Sequence, residues 1–109
     1  MYMEKKYIVT TEHVSGKEIV EVLGTVKGSA VRARHIGVDI LAIFPLIFGG
    51  KISGYAKAIH DARSEAEAEM KAEAEDLHAD AIVMTRYSTS QVISGAAEIM
   101  VYGTAVKFR

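Results

Sequence analysis

Apolar residues recur at helical spacing between about residue 53 and about residue 78. The apolar positions there follow the 3.6-residue period of an α-helix. Ser53 is suited to cap the amino terminus. The pattern therefore predicts one long helix of about 25 residues, roughly 37 Å at 1.5 Å per residue. Alanines in the middle of its apolar stripe would let a sheet approach closely. The stripe comprises Tyr55, Ile59, Ala62, Ala66, Met70, Ala74 and Leu77.

Four other stretches have the composition of extended chain, rich in β-branched and aromatic residues. They are residues 7–13, residues 18–34, and two final segments, "ADAIVMTRYSTSQVI" and "AAEIMVYGTAVKF". The turn "SGA" at 94–96 is short enough to join the final two as a hairpin. Gly24 and Gly28 interrupt the second stretch and predict a bulge or a bend, in one long strand or two short ones.

The last strand has apolar residues in both of its alternating sets, so both faces of the sheet should be at least partly covered. One helix can cover only one face. A second copy of the chain is the simplest candidate to cover the other face or the sheet edges. The elements together predict a single α+β domain over residues 1–109, with one long helix against an antiparallel sheet.

The run "ILAIFPLIF" at 40–48 is strongly apolar and harder to interpret. Isoleucines recur at helical spacing from Ile36 to Ile47, but Pro45 would kink or end a helix. A bilayer span needs about 20 such residues, so no membrane span is expected. The run is either a wall of the core or of a subunit interface, or an exposed patch for a membrane surface or a ligand.

The composition excludes several classes of protein. The 109 residues contain no cysteine, which excludes disulfides, cysteine–zinc sites and thiol nucleophiles. A net charge of −1 argues against a general nucleic-acid binder. Residues 64–80 nevertheless carry a net charge of −6, either as a solvated helix face or as a surface that meets a basic face of a neighbouring copy. The first ten residues lack a secretory signal, so a cytoplasmic location is predicted.

Candidate metal ligands must come from histidine and carboxylates. His35 and Asp39 are four residues apart and would share a face on a helix. His13 follows Glu12 on a predicted strand, where adjacent side chains leave opposite faces. Zinc takes three or four ligands. We therefore predict His13, His35 and Asp39 as metal ligands in a site that another strand or subunit completes; a structural or solvated role is the alternative.

Signals for catalysis are weak. The "SGK" at 15–17 lacks the earlier glycine of a phosphate-binding loop. The serines do not form a Gly-x-Ser-x-Gly elbow, and no pair of titratable groups is placed for acid–base chemistry. The chain is not expected to be an enzyme.

Several segments in order along the chain resemble the YbjQ-like family of small bacterial and archaeal proteins. They are "TTEH", "GKEIVEVLG", "VKGSAVRARHIGVDILA", "GG" before "SGYAKA", "ADAIV" and "GTAV". The resemblance implies a two-layer β-α-β-β unit similar to a dodecin subunit, and a homopentameric ring. The family's only functional label is heavy-metal binding. Two departures from its pattern are Ala56, after Tyr55, and the apolar "IFPLIF".

These observations predict a cytoplasmic homo-oligomer that binds a divalent metal or a small ligand at its subunit junctions. The alternative is a structural ring without ligand chemistry, in which the apolar run serves assembly or partner docking.

Overall fold

A computed structural model describes residues 7–33, 53–93 and 96–109. Within them the elements are β1 (Ile19–Ala33), α1 (Ser53–Asp76), β2 (Ala81–Ile93) and β3 (Ala96–Phe108). The strands form one antiparallel sheet in the order β1-β3-β2. For these described residues, the predicted α+β class and the one long helix are confirmed. The predicted ligands His35 and Asp39, the apolar run 40–48 and most of the turn at 94–96 lie outside the described residues.

The amino-terminal segment is not the full strand that residues 7–13 predict. It touches the sheet through an isolated parallel bridge between Ile8 and Ile82, and the N–H of Val9 donates to the Ile82 carbonyl at 2.9 Å. Beyond that point the Thr11 hydroxyl donates to the carbonyl of His13 at 2.6 Å. Such a local side-chain bond competes with strand pairing. The chain therefore bends away and crosses the outer face of the sheet.

Helix α1 buries the middle of its predicted stripe. Ala62, Ala66, Met70 and Ala74 are fully buried. Leu77 is 41% exposed, because the helix ends before it, two residues earlier than predicted. The chain reverses at His78, which has φ 60°, and the N–H of Ala79 bonds back to the carbonyl of Ala74, as in a Schellman cap.

The helix packs mainly over β1 and the central strand β3 and scarcely touches β2. Gly28 makes this closeness possible, because a Cβ there would lie 2.6 Å from the Met70 nitrogen and closer still to the carbonyl oxygen of Ala66. Gly24 instead has φ +132° and lies at a register shift of β1. The predicted bulge therefore lies at Gly24, whereas Gly28 serves close packing.

Two glutamates of the helix bind the outer edge of β1. The Glu73 carboxylate accepts the N–H of Lys27 at 3.1 Å, and the Glu69 carboxylate accepts the N–H of Ser29 at 3.3 Å. The acidic helix face is therefore not wholly solvated. Part of it satisfies backbone donors at the sheet edge.

The outer face of the sheet, opposite the helix, is covered at one end by the chain itself. There Val14 is buried against Ala81, Val83 and Val106. Elsewhere on this face, large apolar side chains are exposed to solvent. The register between β1 and β3 places them on the same face of the sheet as Val106. They are Val22, Val31 and Tyr102, which are 66%, 53% and 39% exposed.

Candidate functional site

A groove of about 1040 Å³ lies between the amino-terminal segment and a bulge in β2. An adjoining hollow of about 580 Å³ continues it toward β1. Among the described residues, four line both concavities: Glu12, His13, Lys17 and Met84. Mixed charge, an imidazole and a thioether in one concave surface make this the candidate binding site.

The bulge in β2 determines the shape of the groove. The pairing of β2 with β3 shifts between Val83 and Arg86, so Met84 and Thr85 together oppose Gly103. Met84 has φ 55°, a left-handed conformation that is rare for residues other than glycine, asparagine and aspartate. Its N–H donates to the carbonyl of Thr11 at 3.0 Å. The bulge thus turns the Met84 side chain, 40% exposed, to the groove wall.

His13 is exposed on the opposite wall. Its Nε2 lies 3.8 Å from Oε1 of Glu12, so the two side chains lie together. The expectation that they leave opposite faces of a strand is wrong, because residues 10–13 bend and are not part of a strand. The imidazole can ligate a cation, and the carboxylate of Glu12 adds a negative charge close to its Nε2.

Lys17 and Arg86, the two cations among the described residues of the groove lining, make other contacts. The Lys17 ammonium lies 5.9 Å from the Tyr7 ring centroid and 5.8 Å from that of Phe108. Arg86 Nη1 donates to the carbonyls of Thr10 and Thr85, both at 2.9 Å. Arg86 therefore fastens the amino-terminal segment to the bulge, and Lys17 rests between aromatic rings.

The structure brings one of the three predicted metal ligands into this groove. His13 lines it, whereas His35 and Asp39 lie outside the described residues. No group of three or more His, Asp and Glu side chains that could hold a metal occurs among residues 7–33, 53–93 and 96–109. The described donors near His13 thus fall short of a tetrahedral zinc site. Sequence reasoning missed Met84, because nothing in "IVMTRY" signals a left-handed methionine.

A second polar contact joins the helix to β2 away from the groove. The Tyr87 hydroxyl donates to Oε2 of Glu67 at 2.5 Å. Partial burial, with the bond to Glu67 and its charge, raises the pKa of Tyr87 to about 12, and the charge of Arg63 opposes the shift in part. Tyr87 therefore stays a neutral donor over the physiological range.

Comparison with known proteins identifies the family. Residues 7–109 match the YbjQ family, which carries the description "Putative heavy-metal-binding". The chain belongs to the YbjQ family. A relative of this YbjQ-family chain, named UPF0145 protein, from Archaeoglobus fulgidus, is 51% identical over 108 residues, 98% of this chain and 100% of the relative. Another of the same name, from Thermotoga maritima, is 50% identical over 100 residues, 92% and 94% of the two chains. Neither name states an activity.

A solved structure supports the fold of this YbjQ-family chain. A protein of unknown function from Pediococcus pentosaceus matches with a TM-score of 0.62 over 94% of this chain and 97% of that one, at 18% identity. This likeness extends to the fold alone. In the described part of the chain, no helix is long and apolar enough to cross a bilayer.

Proposed function

We propose that this protein is a cytoplasmic, non-catalytic binding protein that assembles as a homopentameric ring of dodecin-like subunits. It takes a divalent metal or a small ligand at its subunit junctions. The groove between the amino-terminal segment and the β2 bulge supports this proposal, because it opens beside the uncovered outer face of the sheet. A neighbouring copy on that face would complete the walls of the groove.

The exposed apolar side chains support the assembly. Val22 and Tyr102 both lie on the outer face and both are substantially exposed. Val22 also lines the hollow that His13 and Met84 share. Burying a valine side chain stabilises by about 1.5 kcal/mol or more. A second copy on this face gains that energy and closes the hollow at the same time.

The metal version of the proposal assigns the ligand role to His13, with His35 and Asp39 supplied by the same chain or by the neighbour. Glu12 supports the imidazole. Native mass spectrometry of untagged protein, purified without chelators, tests both the assembly and the cargo. We expect a pentamer with reproducible extra mass, and calorimetric titration with zinc, copper or nickel that releases heat. His13→Asn should abolish that heat; its absence in the wild-type protein with all three metals excludes the metal version.

A structural ring without a ligand is the second candidate, and the open apolar face favours it. Val22→Asp should then split the assembly into subunits, whereas the exposed Glu21→Asp control should not. Phe44→Asp extends the test to the apolar run. If the assembly mass is unchanged in both, assembly does not depend on these apolar residues. A bare ring that binds none of the metals favours this candidate over the first.

A further inference from the structure

Met84 is an unusual place for a methionine in this fold. Met70 shows the usual role, since its side chain is fully buried beneath the helix. Met84 is instead 40% exposed, in a left-handed backbone conformation, within a bulge. Glycine or asparagine would adopt that backbone with less strain. An outlier of this kind points to a use for the side chain.

The backbone ties Met84 to the segment that carries His13. The N–H of Met84 binds the carbonyl of Thr11, and the Thr11 hydroxyl binds the carbonyl of His13, at 3.0 and 2.6 Å. Both side chains line the groove and its adjoining hollow. The thioether sulfur and the imidazole are thus presented to one concave space from two walls joined by hydrogen bonds.

From this arrangement we infer that Met84 and His13 form a site for a soft monovalent cation of the copper(I) type. Thioether sulfur is a soft ligand of the kind that binds copper(I), and imidazole also ligates copper. Imidazole ligates metals in its neutral form. Lys17, Arg86 and the carboxylate of Glu12 all line the groove, so an ion there faces charges of both signs. The soft sulfur donor, rather than the charge of the groove, therefore carries the choice of a soft monovalent ion.

Glu12 lies beside the imidazole at this site. Its carboxylate oxygen is 3.8 Å from Nε2 of His13, beyond hydrogen-bond distance, and a small side-chain rotation would let it accept the Nε2 proton and leave Nδ1 as the ligand. Glu18, a second carboxylate among the described residues that line the hollow, is engaged by the Arg109 guanidinium at 3.0 Å. The inference rests on the proposed binding function. It specifies the class of metal and adds Met84 as a ligand to the predicted set of His13, His35 and Asp39.

Silver(I) is the probe, because it is a soft monovalent ion that does not change oxidation state in air. Silver nitrate is titrated into the full chain in chloride-free buffer, and the methionine methyl groups are followed by NMR. We expect one silver per subunit and a shift of the Met84 methyl resonance. Met84→Leu and His13→Asn should each weaken silver binding about tenfold or more. Removing even a hydrogen-bond partner of a metal ligand lowers metal affinity by about that much.

Met100→Leu is the matched control, since it removes a sulfur from the same sheet outside the groove lining, and its affinity should equal that of the wild type. Silver binding that leaves the Met84 methyl unshifted, or that survives Met84→Leu, overturns the inference. The shift of the Met84 methyl resonance in the wild-type protein tests whether Met84 binds silver, even if a variant folds poorly. Zinc binding without silver binding overturns it while the divalent proposal stands; binding of neither ion removes both metal assignments.

Discussion

Replacing Gly28 by alanine tests the contact that sets the distance between helix and sheet. Away from contacts, a glycine-to-alanine change at a compatible backbone stabilises a protein by about 0.4–1 kcal/mol, because it restricts the unfolded chain. At Gly28 the new Cβ would instead lie 2.6 Å from the Met70 nitrogen and 3.0 Å from the Ala66 carbonyl carbon. Both atoms belong to the helix backbone, which cannot rotate away as a side chain can.

The size of the effect follows from the movement required. Ordinary contact with a Cβ begins at 3.4 Å, so the helix must retreat by roughly 0.8 Å at Met70, and further at the Ala66 carbonyl oxygen. Ala62, Ala66, Met70 and Ala74 all have no exposed surface and would lose contacts together. We expect Gly28→Ala to lower the free energy of unfolding by about 3 kcal/mol, at the upper end for overpacking.

Urea unfolding followed by circular dichroism, at fixed protein concentration, measures this loss. Gly16→Ala is the control, because its φ is +79° and no atom lies within 4 Å of its would-be Cβ. That variant should lose about 1 kcal/mol from backbone strain alone. A Gly28→Ala protein as stable as the Gly16→Ala protein would refute the close-packing argument.

Three further predictions concern other contacts. Met84→Gly relieves the strain of the left-handed backbone, about 1–2 kcal/mol, at an entropy cost for glycine of about 0.5–1 kcal/mol. The urea midpoint should therefore rise slightly, and a fall would contradict the claim that the Met84 backbone is strained. Glu73→Ala removes the acceptor of the Lys27 N–H and should lower stability by about 1 kcal/mol. Glu73→Gln keeps an acceptor, so equal losses in the two variants would argue against the edge bond. The folded pKa of Tyr87 is raised from 10.0 to about 12, so the unfolded chain loses its phenol proton first and stability falls as pH rises through that window. Tyr87→Phe should flatten this fall, as measured by urea unfolding at several pH values.

The helix could be predicted because its apolar positions follow a plain helical period, and the hairpin because a short turn separates two segments of strand-like composition. The end of the helix could not, since His78 takes the left-handed position without being a glycine. The amino-terminal segment looked like a strand by composition, but a local bond from Thr11 bends it. In each case a contact between neighbouring residues outweighed the average preference of the segment.

The candidate site was predictable in part. His13 was chosen as a ligand from its residue type and does line a groove. Met84, its neighbour across the groove, is not predictable in this way, because a methionine in a strand segment is usually a core residue. The register shift that turns Met84 outward arises from the pairing of β2 with β3 and leaves no mark on the sequence of β2 itself.

The glutamate bonds to β1 also limit how this sheet can grow. A strand added along the middle of β1 would have to displace the carboxylates of Glu69 and Glu73 from the N–H groups that they hold. On the opposite edge, the amino-terminal segment bonds to β2 only as far as Thr85. Open-ended growth by edge-to-edge strand pairing needs two edges on every molecule that are free to accept another strand. Two copies that met through β2 would instead form a closed pair, so the helix protects the chain against fibre formation.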